Sequence, residues 1–309
     1  MKAVTGTTCV RHTGLGCKSL LGAGVFWVGA NSLSCAENIF WARSMATIRS
    51  SDAQLYYEVV GDGPSVVLLH PFPLNHNFWT AVVAQFSSRY RVIIPDLRAH
   101  GASELGDGPA TMQKLADDLA LICREEKTGK ASFVGVSIGG YLLFEFWRRY
   151  RERVAALVLA NTRAGAETPE SKALRLQVAD RVLREGTGEF IEEMLSKLLS
   201  KATRTNRPDI VDSARKMMQA MSPDDIAGVQ RGIAERPDSV ATLATINVPA
   251  LIIAGDEDSV PRSEFELMRQ HIASSELRVI SHAGHYAALE KPQEFGALLR
   301  GFQDKLPRF

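Results

Sequence analysis

Three short stretches hold residue types that can break an acyl bond. Gly135-Val136-Ser137-Ile138-Gly139-Gly140 stands between an apolar run and a helical pattern. A serine in a tight strand–turn–helix has its hydroxyl pushed out at the C-terminal end of the strand. The turn is so sharp that side chains two residues to either side would collide, which asks for glycine at 135 and 139. The helix beginning there adds oriented N–H groups and a positive partial charge. A hydroxyl is a weak nucleophile without a base beside it. Ser281-His282-Ala283-Gly284-His285 offers two imidazoles directly after another apolar run. His285, between Gly284 and a helix, fits a base presented at a loop tip, whereas His282 reads as a packing or hydrogen-bonding residue. The base needs an acid that fixes its tautomer and stabilises the imidazolium. Asp256, Glu257 and Asp258 follow the run Ala250–Ala254. Two residues apart, Asp256 and Asp258 share a strand face, so periodicity leaves both open. Acyl transfer is the chemistry such a set performs: Ser137 attacks a carbonyl carbon and His285 takes its proton.

These residues meet only if the segments carrying them end at one edge of a sheet. Gln54–Val60, closed by Gly61-Asp62-Gly63-Pro64, reads as part of a leading hairpin. Short apolar runs then alternate with helical patterns. Strands are predicted at Val66–Leu69, Arg91–Pro95, Ser132–Val136, Val154–Leu159, Ala250–Ala254 and Leu277–Ile280. Helices are predicted at Thr111–Glu125, Ile138–Tyr150, Glu264–Ile272 and Pro292–Lys305. Strands this apolar are covered on both faces, and the alternation predicts an α/β fold with a mostly parallel sheet. From about Arg163 to Thr245 the alternation stops. Ala173–Leu183, Phe190–Leu199 and Ile210–Met221 read as amphipathic helices, punctuated by Gly186-Thr187-Gly188, Arg207-Pro208 and Ser222-Pro223. A helical block between two core strands is expected to cap the site.

The chain of 309 residues is 45% apolar and 23% charged, with a formal net charge of +1. No basic stripe or acidic tail points to nucleic acid or to an anionic membrane surface. A small-molecule substrate is the expected partner. Residues 1–44 differ: Lys2, Arg11, Lys18 and Arg43 face one acid, Glu37, and three of the four cysteines lie there. Leu20–Ala30 is apolar but too short to span a bilayer, so no stable membrane insertion is expected. Ser34-Cys35-Ala36 offers small residues to a signal peptidase. The segment reads as a poorly ordered extension. If it is a targeting segment the protein is exported or organellar; if the true start is Met45 the protein is cytoplasmic. Residues 45–309 form the folded body. Its one cysteine, Cys123, reads as a buried thiol. Without a CxxC pair or HExxH, no metal is expected. Without GxGxxG or GxxxxGK[ST] after a strand, no nucleotide cofactor is expected either.

The order serine, acid, histidine, each after a core strand, resembles the α/β-hydrolase superfamily over essentially all of residues 46–309. His70-Pro71-Phe72-Pro73 resembles its oxyanion loop after the third strand. Asp96-Leu97-Arg98-Ala99-His100-Gly101-Ala102-Ser103 resembles its segment after the fourth. Gly255-X-X-Asp258 with Pro261 resembles the acid motif, which favours Asp258 over Asp256. Pro71 and Ala99 replace glycines of the family pattern. The resemblance implies backbone N–H groups of Phe72 and Ile138 as oxyanion donors, so the absent N–H of Pro71 is no obstacle. His70 and His100 are expected to be structural.

Together these readings predict a cofactor-free serine hydrolase. It would cleave a carboxylic ester or lactone of a small molecule through Ser137, Asp258, His285 and an acyl-enzyme. Phe78 and Trp79, beside the oxyanion loop, are candidates for the substrate pocket, with packing in the helix that follows as the other reading. Arg163 and Arg236-Pro237-Asp238-Ser239 add likeness to small-molecule esterases and 3-oxoadipate enol-lactonase-like members. The same triad also serves carbon–carbon bond hydrolases and cofactor-free perhydrolases, and the fold hosts ligand-binding receptors and scaffolds.

Overall fold

The computed structural model describes residues 43–307. The expected extension therefore lies outside the described residues, apart from Arg43 and Ser44. These two open the first strand. They carry no apolar signal because they pair through backbone on an exposed edge.

Eight strands form one sheet: β1 (Arg43–Arg49), β2 (Gln54–Val60), β3 (Ser65–Leu69), β4 (Arg91–Pro95), β5 (Ala131–Val136), β6 (Val154–Ala160), β7 (Ala250–Gly255) and β8 (Ser275–Ile280). Their order is β1-β2-β4-β3-β5-β6-β7-β8. The β1–β2 and β2–β4 pairs are antiparallel and the rest parallel. Every residue of β5 and β7 is buried. Successive side chains point to opposite faces, so both faces of the sheet centre are covered. β8, on the edge, is mostly exposed or half-buried.

Helices α1 (Thr80–Val83), α2 (Met112–Glu125) and α3 (Ile138–Tyr150) precede β6. Between β6 and β7 lie α4 (Pro169–Glu185), α5 (Gly188–Leu198), α6 (Lys201–Asn206), α7 (Pro208–Gln219), α8 (Pro223–Ala234) and α9 (Val240–Leu243), with no strand among them. Then come α10 (Arg262–His271), α11 (Ala287–Glu290) and α12 (Pro292–Gln303). Ser222-Pro223 is expected as a break, with no helix predicted between it and β7. In fact the pair starts α8: Ser222 caps the Asp225 N–H, Asp225 returns the bond, and Pro223 occupies the first turn. Proline there loses no helical hydrogen bond.

The topology fixes where a site can form. The chain steps outward from β3 to β4, then returns across β3 to begin β5. At such a reversal the connections leave the strand ends in opposite directions and open a crevice. β3 and β5 are in register up to Leu69 and Gly135, and β5 and β6 up to Val136 and Ala160. Their C-terminal ends are therefore level.

The loop after β4 is held by a buried guanidinium. Arg98 donates Nε and Nη2 to the two oxygens of Asp118 on α2, both at 2.8 Å. Nη1 reaches Asp52 Oδ1 at 2.7 Å and the Leu105 carbonyl at 3.0 Å, and Nη2 also reaches Ser50 Oγ at 3.1 Å. Every N–H of the group has a partner, and the side chain is only 1% exposed. Removing it leaves Asp118 uncompensated. Arg98→Met should cost about 3–5 kcal/mol, read as a lower urea midpoint at unchanged slope; a loss below about 1 kcal/mol would contradict this role.

Candidate active site

Ser137 stands between β5 and α3 at φ 54° and ψ −112°. A non-glycine residue held there stores of order 1–3 kcal/mol of strain, so its surroundings must enforce the conformation. They do so by contact. A Cβ at Gly135 would lie 2.5 Å from the Gly139 backbone, and one at Gly139 would lie 2.7 Å from the Leu69 carbonyl oxygen of β3. The collision expected between the two flanks is thus real for Gly135, while Gly139 is glycine because β3 lies against it.

The carbonyl of Ser137 accepts from Gly140 N–H at 2.9 Å, Tyr141 N–H at 3.2 Å and Thr162 Oγ1 at 2.8 Å. That carbonyl shares a rigid peptide plane with the Ile138 N–H, so fixing one fixes the other. The loop after β3 repeats the device. The Pro71 carbonyl accepts from Leu74 N–H at 2.9 Å and lies 3.1 Å from His70 Nδ1. His70 Nε2 accepts from the Leu97 N–H at 3.0 Å, so Nδ1 carries the proton and donates. The plane it grips is that of the Phe72 N–H. Burial, together with the charge of His100, lowers His70 to about 3, so it stays neutral. His100 packs edge-on against both His70 and Phe72. Both histidines are buried, and His70 braces the loop after β3 against the loop after β4.

After β7, Asp258 Oδ1 lies 2.7 Å from His285 Nδ1 and accepts from Val260 N–H at 3.0 Å. Asp258 Oδ2 accepts from Asn161 Nδ2 at 2.7 Å. Burial alone would raise the Asp258 pKa. The charge and hydrogen bond of His285, with Val260 and Asn161, outweigh it and hold the carboxyl below its usual range. Asp256 is elsewhere, with Oδ1 3.3 Å from the Ala283 N–H. The choice that periodicity left open thus falls on Asp258 as the partner of His285. His282 is not a packing residue: its side chain is 74% exposed, on a loop residue with φ 54°.

Two residues that sequence reasoning passed over hold this arrangement. Asn161, just past β6 at φ 48°, is fully buried and also donates to the Gly284 carbonyl at 3.3 Å. Glu290 in α11 is buried. It accepts Gly284 N–H and Ser200 N–H, each at 2.9 Å, tying the histidine loop to the start of α6. His285 N–H adds a bond to the Leu198 carbonyl at 2.9 Å. A lone asparagine after a strand and a glutamate in a helical pattern carry no signal in sequence, because only tertiary contact buries them.

Phe72, Ser137, Tyr141 and His285 line one cavity of about 540 Å³, together with side chains of α4, α5 and α8. With Nδ1 on Asp258, His285 has its opposite nitrogen, Nε2, left for the cavity. Phe78 and Trp79 do not line it. They are 1% and 0% exposed and pack on Tyr286 and Phe295, so the pocket expectation is corrected: each turns inward from the loop, where water-free packing is available. Cys123 is free and buried, and burial pushes its thiol up to about 11. Among the described residues no helix is long and apolar enough to cross a membrane.

Residues 64–292 match the family model described as alpha/beta hydrolase fold. A solved thermophilic esterase from Thermogutta terrifontis, with malate bound, is 38% identical at a TM-score of 0.81, covering 85% of this chain and 98% of that one. The 3-oxoadipate enol-lactonase 2 of Acinetobacter baylyi is 27% identical over 81% of this chain and 92% of its own. A pimeloyl-[acyl-carrier protein] methyl ester esterase of Nitrosomonas europaea is 28% identical over 79% and 97%. With the family matched over most of its length, and with this sheet order and serine turn, the chain belongs to the alpha/beta hydrolase fold family.

Proposed function

We propose that the protein hydrolyses carboxylic esters or lactones of small molecules, with Ser137 as nucleophile, His285 as base and Asp258 as the acid that orients it. The observation that carries this reading is the 2.7 Å contact of His285 Nδ1 with Asp258 Oδ1, on a ring that shares its cavity with Ser137. Similarity to proteins named as esterases, methyl ester esterases and enol-lactonases supports the bond type. The helical block between β6 and β7 acts as a cap whose α4, α5 and α8 side chains shape the substrate space.

In this mechanism His285 Nε2 takes the proton of Ser137 as its oxygen attacks the carbonyl carbon. The oxyanion accepts from the N–H groups of Phe72 and Ile138, whose peptide planes are pinned by their carbonyls before substrate arrives. Donors held in place need no reorganisation as charge develops. Asp258 stabilises the imidazolium. His285 returns the proton to the leaving alkoxide, then draws one from water, whose oxygen attacks the acyl-serine; His285 passes that proton to the departing Ser137 Oγ as the acid is released.

The direct test is turnover of p-nitrophenyl butyrate. Ser137→Ala should lose on the order of 10⁴–10⁶ in kcat, and retention of activity within 10-fold would overturn the assignment. Asp258→Asn should lose on the order of 10⁴, against a few-fold for Asp256→Asn; equal losses would return the acid to ambiguity between the two. Asp258, held below the ordinary carboxylate range by His285, Val260 and Asn161, stays ionised at a pH where a free aspartate, at about 3.9, begins to protonate. The acid limb of log kcat/KM should therefore gain no second proton from Asp258 down to about pH 4, and its slope should stay well below 2. A slope near 2 in that window would place Asp258 in the titration and contradict its environment.

A further inference from the structure

The cavity wall carries more positive charge than its architecture requires. Arg163, Arg175, Arg181 and Lys197 line it against two acids, Glu167 and Glu193. Glu193 is occupied by Arg181, at 2.8 Å to Nη1. Glu167 is met three times on one oxygen: Oε1 accepts from Arg163 Nη2 at 2.9 Å, Arg175 Nη2 at 3.1 Å and Arg236 Nε at 3.3 Å. Arg236 is 2% exposed and stacks its guanidinium 4.1 Å above the ring of Tyr141, itself a lining residue.

Joining the loop after β6 to α4 and to the loop after α8 requires one cation per carboxylate. Here three cations share one, and the two surplus charges persist at any working pH because guanidinium does not deprotonate. Glu167 cannot absorb them. Burial opposes its ionisation, but Arg175, Arg163 and Arg236 outweigh burial and push it down to about 2, so it is already fully charged. Arg175 Nε and Arg236 Nη2 are buried with no acceptor among the described residues. A buried charged N–H without a partner is costly, so Glu167 alone leaves the three-arginine cluster under-neutralised.

We propose that Arg163 and Arg175, which line the cavity with the buried Arg236 behind them, form a carboxylate subsite, so that the substrate bears a free carboxylate away from the ester bond that is cleaved. A planar guanidinium fork matches a carboxylate in shape and charge. The substrates are then monoesters of short dicarboxylic acids, carboxyl-bearing lactones, or esters of hydroxy acids. The proposal rests on the hydrolase reading of the same cavity and adds to it the charge of the substrate.

The test compares carboxylates with their near-isosteric neutral amides. Methyl hydrogen glutarate against methyl glutaramate places the group on the acyl side; O-butyrylglycolate against O-butyrylglycolamide places it on the alcohol side. In at least one pair, wild type should prefer the acid in kcat/KM by on the order of 10–100-fold, and the ratio should shrink as salt rises. In Arg163→Gln and Arg175→Gln the ratio should collapse toward 1. Should either variant fail to fold, the wild-type ratio and its salt dependence still decide. Ratios near 1 in both pairs, while Ser137-dependent turnover of the amides persists, would overturn the subsite and leave the hydrolase reading standing. A preference unmoved in both variants would overturn the assignment to these arginines. Absence of Ser137-dependent turnover of any of the four esters would overturn the hydrolase reading, and the subsite with it.

Discussion

At the end of β5 the chain has no room for a side chain at position 135: its Cβ would sit 2.5 Å from the backbone of Gly139, which is itself pressed against Leu69 of β3. This close approach turns β5 into α3 with Ser137 at a positive φ. It also places the Ser137 carbonyl where Gly140, Tyr141 and Thr162 hold it. One steric constraint therefore sets the backbone of Ser137 and the direction of the neighbouring Ile138 N–H. Strain at the turn is offset by packing around it, as expected where a fold over-determines an unfavourable dihedral pair.

His285 lines the same cavity as Ser137 because the parallel strands end level. Gly255 closes β7 under the histidine loop, and a Cβ there would lie 2.3 Å from the Ala283 carbonyl oxygen. Asn161 spans from the end of β6 to Asp258 and to Gly284, and Glu290 fastens the same loop to the helical block. Positioning is thus shared among β5, β6, β7 and the block above them. Among the described residues only Asp258 touches the imidazole through a charge, and its partners favour that charge.

Much of this was legible in the residues. Strands read as apolar because both faces are covered, and the glycines at 135 and 139 announced the turn because no other residue fits it. Family likeness singled out Asp258 where a two-residue period could not, and Asp258 Oδ1 lies 2.7 Å from His285 Nδ1. What escaped notice depends on contacts between distant segments. Ser222-Pro223 has the composition of a break and the geometry of a helix start. Phe78 and Trp79 follow the oxyanion loop but turn inward. Asn161 and Glu290 are unremarkable polar residues until burial makes them the hinges of the histidine loop. The crowding of three arginines on Glu167 is likewise invisible, because 163, 175 and 236 are far apart along the chain.

The account stands on the claim that Ser137, and no other hydroxyl, is made reactive by the imidazole of residue 285. Peptide mapping by mass spectrometry after treatment with a fluorophosphonate tests this most directly, since the reagent is captured only by an activated serine. A single adduct on Ser137 in wild type, absent from His285→Ala, is the predicted result. An adduct on another residue, or none in folded wild-type protein, would contradict it.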